Sequence, residues 1–230
     1  MSIGRKKVRG MKDVSRRSLL ACAALGAASF AAASVGEAGP AAYAAADGEA
    51  TEDAYQVSSR GDADAQYGFL MNVQRCIDCG KCVEACRRAN GTPESLPARR
   101  RIECYIDEQG IERYVSVSCM HCEKPACLEV CPAGAISKTI GGIVVVDKDL
   151  CIGCKYCYQA CPFQAPHYDA VSMYKCDYCL GAGVALGDTP NCVRACKTQA
   201  LRFGKLDELL ELSDRVRRVG GTTDPSAVLV

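Results

Sequence analysis

Short apolar bursts, set between polar turns, divide this chain. Tyr67-Gly68-Phe69-Leu70-Met71-Asn72-Val73 reads as a strand. Arg101–Ile106 and Arg113–Val117 read as two more, around the turn Asp107-Glu108-Gln109-Gly110. Gly141-Gly142 opens the apolar run Ile143-Val144-Val145-Val146, a hairpin strand, and Leu201-Arg202-Phe203 reads as a closing strand. Cys192–Lys197 predicts a short helix. Leu209, Leu210, Leu212 and Val216 stand at helical spacing among mixed charges, so Asp207–Val219 predicts an amphipathic C-terminal helix. Residues 45–66 are polar and acidic and predict a flexible linker. Leu19–Val35 is Ala-rich and shorter than a comfortable membrane span, and no later stretch is long and apolar enough to cross a bilayer.

Cysteine changes this picture most. Of the 18 cysteines, sixteen fall into four sets of four. Cys76, Cys79, Cys82 and Cys86 form the first (C-x2-C-x2-C-x3-C). Cys119, Cys122, Cys127 and Cys131 form the second (C-x2-C-x4-C-x3-C), before Pro132. Cys151, Cys154, Cys157 and Cys161 form the third, before Pro162, and Cys176, Cys179, Cys192 and Cys196 the fourth. Three thiolates two residues apart can curl around three corners of a cubane, while a more distant one reaches the last corner. In bacterial ferredoxin runs that fourth cysteine ligates the other cluster. Four runs in one short chain point to a series of 4Fe-4S clusters and hence to electron transfer. The middle also repeats: Cys131-Pro132-Ala133-Gly134-Ala135-Ile136 is echoed by Cys161-Pro162-Phe163-Gln164-Ala165-Pro166.

The formal net charge of +1 gives no electrostatic case for nucleic acid. Trp is absent and aromatics make up 6%, so metal sites are expected to supply much of the folding free energy. Residues 1–17 are basic, and Ser15-Arg16-Arg17-Ser18-Leu19-Leu20 resembles a twin-arginine signal. Ala42-Tyr43-Ala44 supplies a small-x-small cleavage site, which makes residues 1–44 a signal peptide. The other reading of this segment is an uncleaved anchor. Cys22 opens the apolar stretch, where a lipidated cysteine would close one. The twin-arginine route moves folded proteins, which suits a cofactor inserted before export. It places the mature chain in the periplasm or on the outer face of the cytoplasmic membrane.

Ser118-Cys119-Met120-His121-Cys122-Glu123-Lys124-Pro125-Ala126-Cys127 and Val130-Cys131-Pro132-Ala133-Gly134-Ala135 carry a family resemblance. So do Val146-Asp147, Cys151-Ile152-Gly153-Cys154-Lys155-Tyr156-Cys157 and Ala160-Cys161-Pro162. Over roughly residues 67–212 the chain resembles the iron–sulfur subunit of dimethyl sulfoxide reductase-type molybdoenzymes. It is similarly close to exported four-cluster ferredoxins of nitrite, tetrathionate and polysulfide respiration, towards which a signal of its own tilts it.

The resemblance implies an α+β fold of two interleaved, bacterial-ferredoxin-like two-cluster modules, built from short hairpins and short helices. The outer module would take residues 67–117 and 169–204, the inner one 118–168, with a C-terminal helix and tail over 205–230. The implied ligand sets are Cys76, Cys79, Cys82 and Cys196; Cys176, Cys179, Cys192 and Cys86; Cys119, Cys122, Cys127 and Cys161; and Cys151, Cys154, Cys157 and Cys131. Some relatives put Trp where Cys154 stands and hold a three-iron cluster; this chain implies four 4Fe-4S clusters. Arg87 and Lys197 depart from the proline that follows the other two runs.

The implied role is a non-catalytic electron-transfer subunit of an oxidoreductase complex in anaerobic respiration. It would relay electrons between a polytopic, quinone-reactive membrane subunit and a molybdopterin catalytic subunit. The alternative is a freestanding exported ferredoxin between a membrane quinol dehydrogenase and a cytochrome reductase. Of other classes, a structural zinc protein fits only the fourth run, and disulfides explain no triple spacing. Beside the ligands stand Lys81, Arg87, Arg88, Lys124, Lys155, Lys175, Arg194 and Lys197, as solvated charges or as compensation for buried cluster charge. Lys155 is singled out as raising a cluster's potential. His121 and His167 are expected to hydrogen-bond, since each run already has four cysteines. Cys104 is expected to be a buried free thiol. Tyr156, Tyr158, Phe163, Tyr174 and Tyr178 are expected to shield clusters from water. No constellation of nucleophile and base, and no phosphate loop, accompanies them.

Overall fold

The computed structural model describes residues 56–230. The expected signal peptide, with Arg16, Arg17 and Cys22, and positions 45–55 of the expected linker lie outside the described residues. In chain order the first elements are β1 (Tyr67–Met71), α1 (Lys81–Ala89), β2 (Arg101–Ile106), β3 (Glu112–Val117), α2 (Ala126–Glu129), β4 (Ile136–Thr139) and β5 (Ile143–Val146). Then come α3 (Tyr156–Ala160), β6 (His167–Tyr168), β7 (Met173–Tyr174), α4 (Asn191–Arg194), β8 (Leu201–Lys205), α5 (Leu206–Glu211), β9 (Arg217–Arg218) and β10 (Ala227–Leu229). This is a ferredoxin-type mixture of short helices and strands, in which the cysteine runs occupy the turns.

The largest sheet has the order β8-β1-β10-β9. β1 runs antiparallel to β8, with Tyr67 opposite Lys205 and Met71 opposite Leu201, and parallel to β10. All five residues of β1 are buried, which explains their unbroken apolar run. Phe69 joins Tyr178 in the main core. Leu70 faces the other way, onto Leu206, Leu209, Val216 and Val228. Gly68 is required by this packing: a Cβ there would lie 2.4 Å from the Ser226 carbonyl oxygen.

The two predicted hairpins form. β2 pairs with β3 from Arg101↔Val117 to Ile106↔Glu112, and Asp107 Oδ1 accepts from the N–H groups of Gln109 and Ile111 to close the turn. β4 pairs with β5, Ile136 opposite Val146, across a turn with Gly141 at φ 67°. Helices pair as well: α1 packs against α4, and α2 against α3.

Two expectations need correction. Residues 56–66, read as part of a flexible linker, are tied down. Val57 bridges Leu186, the Leu186 N–H donates to Gln56 O at 2.8 Å, and Lys205 Nζ donates to Asp62 Oδ2 at 2.9 Å. Gln66 Nε2 donates to the carbonyls of His121 and Gly142 at 3.3 and 3.1 Å. Polar composition signals disorder only where no partners await, and here each of these polar groups has one.

The helix predicted over Asp207–Val219 ends at Glu211. Ser213 and Asp214 follow, residues whose side chains compete for backbone groups, and Leu212 stays 52% exposed while Val216 turns inward. The chain then enters the main sheet as β9 and β10, so Arg217–Arg218 and Ala227–Leu229 are sheet strands and not an appended tail.

Candidate metal centres

Every cysteine run opens with the same backbone turn. The residue before its second cysteine has positive φ: Asp78 at 51°, His121 at 41°, Gly153 at 65° and Tyr178 at 55°. A left-handed residue here turns successive N–H groups to one side, the concave arrangement that holds anions. Three of the four positions bear a side chain, each at a strain of about 1–2 kcal/mol. Gly80 (φ 70°) and Lys155 (φ 68°) then cap α1 and α3 at equivalent points of the first and third runs.

Three runs close alike. Gly134, Gln164 and Gln199, each three residues past a fourth cysteine, have positive φ. Each donates its N–H to that cysteine's carbonyl, at 3.3, 3.2 and 3.1 Å. Lys197 therefore leaves the turn intact. The first run instead stays helical through Cys86 to Ala89. There Arg87 Nη1 donates to the carbonyls of Pro93 and Leu96, which fixes the loop after the run.

Cysteines of different runs line common cavities. One cavity is lined by Cys76, Cys79, Cys82 and Cys196, with Met71, Ile77 and Leu201 around them. Another is lined by Cys131, Cys151, Cys154 and Cys157, with Ile136, Tyr168 and Met173. Cys86 shares its surroundings with Cys192 and Cys179; burial, against Arg100 and with those thiols, pushes it up to about 12. Burial likewise raises Cys176, to which Cys86 and Cys192 add. Cys127 is pushed up to about 12 by burial, with Cys119, Cys161 and Cys122 adding. Two sets of four cysteines thus line cavities, each with three members from one run and one from another, and Cys86 and Cys127 each lie among cysteines of a second run.

The donor set fits iron–sulfur clusters. Every cysteine of the described residues is a free thiol. Among those residues no three Cys, His, Asp or Glu side chains converge on a single ion, as four sulfurs at about 2.3 Å from a zinc would. Buried side-chain atoms without a partner are Arg99 Nε, Arg100 Nε, His121 Nε2 and Thr223 Oγ1. His121 stands between Cys119 and Cys122, Arg100 within the field of Cys192 and Cys176, and Thr223 beside Cys122. A sulfur-rich anion is the acceptor that these donors lack.

Hydrogen bonds already reach several sulfurs. Ala165 N donates to Cys161 Sγ at 3.5 Å and Met173 N to Cys151 Sγ at 3.4 Å. Tyr168 OH lies 3.0 Å from Cys157 Sγ, and Ser116 Oγ 3.2 Å from Cys82 Sγ. Such bonds set cluster potentials.

The other side chains sort themselves. His121 is fully buried, accepts from Val144 N at Nδ1 (3.0 Å), and is held well below the usual imidazole range by burial. His167 lies tilted against Tyr174, ring centres 5.8 Å apart. Of the cations named from sequence, Lys175 alone is buried; its Nζ donates to the Val144 and Cys176 carbonyls. Lys81 and Arg88 pair with Glu84, and Lys124 with Asp224, at the surface. Lys155 is exposed, its Nζ 5.6 Å from the Tyr168 ring.

Two readings fail. Cys104 is exposed, because β2 runs out from the core: Glu103 to Ile106 are exposed on both faces of the strand. Tyr156 and Tyr158 are exposed as well, whereas Tyr174 and Tyr178 are buried and do shield cysteines. Arg100, Ser116, Tyr168 and Thr223 were not legible: only the fold brings each beside the cysteines, and Arg99-Arg100-Arg101 reads as a solvated charge run.

Short helices and hairpins around anion-holding cysteine turns define a ferredoxin-type iron–sulfur protein. The pattern of a 4Fe-4S dicluster domain matches residues 112–206. The B subunit of anaerobic dimethyl sulfoxide reductase from Escherichia coli (strain K12) is 43% identical over 156 residues, 63% of this chain and 76% of that protein. The thiosulfate reductase electron transfer subunit PhsB of Salmonella typhi is 41% identical over 150 residues, 62% of this chain and 78% of that protein. Protein NrfC of Escherichia coli (strain K12) is 38% identical over 149 residues, 62% and 67% of the two proteins. The chain belongs to the family of iron–sulfur electron-transfer subunits of anaerobic, molybdoenzyme-type reductases.

Proposed function

We propose that the chain holds four 4Fe-4S clusters in two interleaved two-cluster modules, and that it relays electrons between a quinone-reactive membrane subunit and a molybdopterin catalytic subunit. The observation that supports this reading best is that Cys196 of the fourth run lines one cavity with Cys76, Cys79 and Cys82, and Cys131 of the second run another with Cys151, Cys154 and Cys157. The packing of α1 on α4 and of α2 on α3 supports an outer module of 67–117 with 169–204 and an inner module of 118–168. Each bound cluster supplies a one-electron carrier. The chain's own residues hold the sulfurs, donate hydrogen bonds to them and keep water away.

Exposure supports a through-route. Cys86, Cys176, Cys179 and Cys192 are all buried, whereas Cys79 and Cys154, one in each proposed module, are exposed. Beside those two stand Ile77, 64% exposed, and Ile152, 69% exposed. Apolar side chains next to an exposed ligand suit dry contact with a partner subunit. One end would meet the catalytic subunit and the other the membrane subunit. The chain itself performs no catalysis in this reading; substrate chemistry belongs to the catalytic partner. Among the described residues no helix is long and apolar enough to cross a membrane, and we assign the span to the membrane subunit. Ser15-Arg16-Arg17-Ser18-Leu19-Leu20 and Ala42-Tyr43-Ala44 support twin-arginine export to the periplasmic side.

Iron and acid-labile sulfide analysis after oxygen-free purification tests the cluster count. The expected result is about sixteen of each per polypeptide. A count near eight would leave two quartets unused and contradict the proposal.

A further inference from the structure

Arg100 is the most deeply buried cation of the described residues, at 1% exposure. Its neighbours in sequence have carboxylate partners: Arg99 pairs with Asp177 at 3.0 Å, and Arg101 Nε donates to Glu103 at 2.7 Å. Arg100 has none among the described residues. Its guanidinium is held by neutral groups: Nη1 donates to Ser116 O at 3.1 Å and to Ser116 Oγ at 3.0 Å, and Nη2 donates to Ser118 Oγ at 2.9 Å. The guanidinium carbon lies 4.3 Å from the centre of the Phe69 ring. Nε, also buried, has no partner.

A buried cation without a counter-ion is costly. Cysteines of both quartets surround it: Phe69, whose ring lies against the guanidinium, packs in one buried core with Cys82, Cys86, Cys176 and Cys192. The negative charge that would balance Arg100 comes with the clusters these sulfurs would hold. Cys82 belongs to one quartet and the other three to its neighbour. Ser116 links the two sides, since its hydroxyl both accepts from Arg100 and lies 3.2 Å from Cys82 Sγ.

We infer that Arg100 is the shared counter-cation of the quartets Cys76, Cys79, Cys82, Cys196 and Cys86, Cys176, Cys179, Cys192, and that it raises both reduction potentials together. Each hop between these two sites moves one electron; no bond forms or breaks and no proton moves. The arriving electron adds one negative charge beside a guanidinium already in place, so the reduced state is stabilised on either side without reorganisation. Serine hydroxyls in place of a carboxylate leave the positive charge free to act on the clusters. Arg100 is a positioning residue for electrons: it fixes where on the route an added charge rests.

The inference relies on the quartets holding clusters as proposed, and the test separates the two. Iron content and potentiometric EPR titration are measured on wild type, Arg100→Gln and Arg100→Lys, all prepared without oxygen. Signals are assigned to quartets by single cysteine-to-serine variants. A wild type lacking clusters sinks the functional proposal itself. With a loaded wild type, Arg100→Gln is expected to disfavour reduction at both adjoining quartets by about tenfold, ~59 mV for one electron. The quartet of Cys131, Cys151, Cys154 and Cys157 should not move. Unmoved potentials at the two adjoining quartets, or an equal shift at all four, overturn the inference. Should Arg100→Gln purify without its clusters, Arg100→Lys must restore the iron content with both potentials closer to wild type; an equally depleted lysine variant also overturns it.

Discussion

At the scale of single residues, the protein tunes its sulfurs with donors that come from elsewhere in the sequence. Tyr168 OH, on β6, lies 3.0 Å from Sγ of Cys157 in α3. A hydrogen bond to a ligating sulfur favours the more negative, reduced state. Tyr168→Phe should therefore lower the potential of the Cys131, Cys151, Cys154, Cys157 quartet by about 1 kcal/mol, roughly 40 mV for one electron, read by potentiometric titration. Lys155 lies in the same wall but is exposed, and an exposed charge is screened. Lys155→Ala should shift the same potential in the same direction, by less than Tyr168→Phe. A larger effect of Lys155→Ala would contradict this ranking. The ligands were legible as sequence because three of each four are local. Tyr168, Arg100 and Thr223 were not, because nothing in their local pattern distinguishes a side chain that will be folded onto a sulfur. The left-handed turns at Asp78, His121 and Tyr178 escaped for a related reason: only Gly153 announces such a conformation by its residue type.

At the scale of elements, strands with a clear apolar run or a marked turn were readable: β1, the β2–β3 hairpin and β5. The C-terminal strands were not, since β9 and β10 are two and three residues long and owe their place to the sheet they join. Their importance can be measured. In Gly68→Ala the new methyl would meet the Ser226 carbonyl at 2.4 Å, whereas in Gly204→Ala on the neighbouring strand it would meet only Leu209 at 3.6 Å. Gly68→Ala should destabilise the folded protein by about 1–3 kcal/mol, and Gly204→Ala by clearly less, in thermal unfolding without oxygen.

The segment before β1 offers a pH test. Hydrogen bonding to Lys205 holds the Asp62 carboxyl below its ordinary value of 3.8, and the same bond holds Lys205 above 10.5. A depressed acid contributes stability above its unfolded pKa and loses it as pH falls through the folded one. A raised base contributes below its unfolded pKa and loses it as pH rises through the folded one. The tether of residues 56–66 is therefore present from about pH 4 to about pH 10. Amide exchange in this segment should be protected at neutral pH and faster in Asp62→Asn. Equal exchange in the two would show that the pair does not hold the segment.

At the scale of the whole molecule, buried polar groups lie among the cysteines. Arg100 lies in the field of Cys192, Cys176, Cys82 and Cys86, Tyr178 in that of Cys176 and Cys119, and Lys175 in that of Cys127 and Cys161. Buried cations offset the negative charge that several thiolate-bound clusters would bring into one small body. If partner runs trade their last cysteines as proposed, sequence-distant clusters lie side by side. Tunnelling falls steeply with distance, so that exchange is what would make the protein conduct.

The exchange is tested most directly by EPR of Cys131→Ser and Cys161→Ser beside Cys119→Ser and Cys154→Ser, each reduced without oxygen. With traded ligands, Cys131→Ser perturbs the same signal as Cys154→Ser, and Cys161→Ser the same signal as Cys119→Ser. If Cys131→Ser instead perturbs the Cys119 signal, each run keeps its own four ligands and the exchange is refuted.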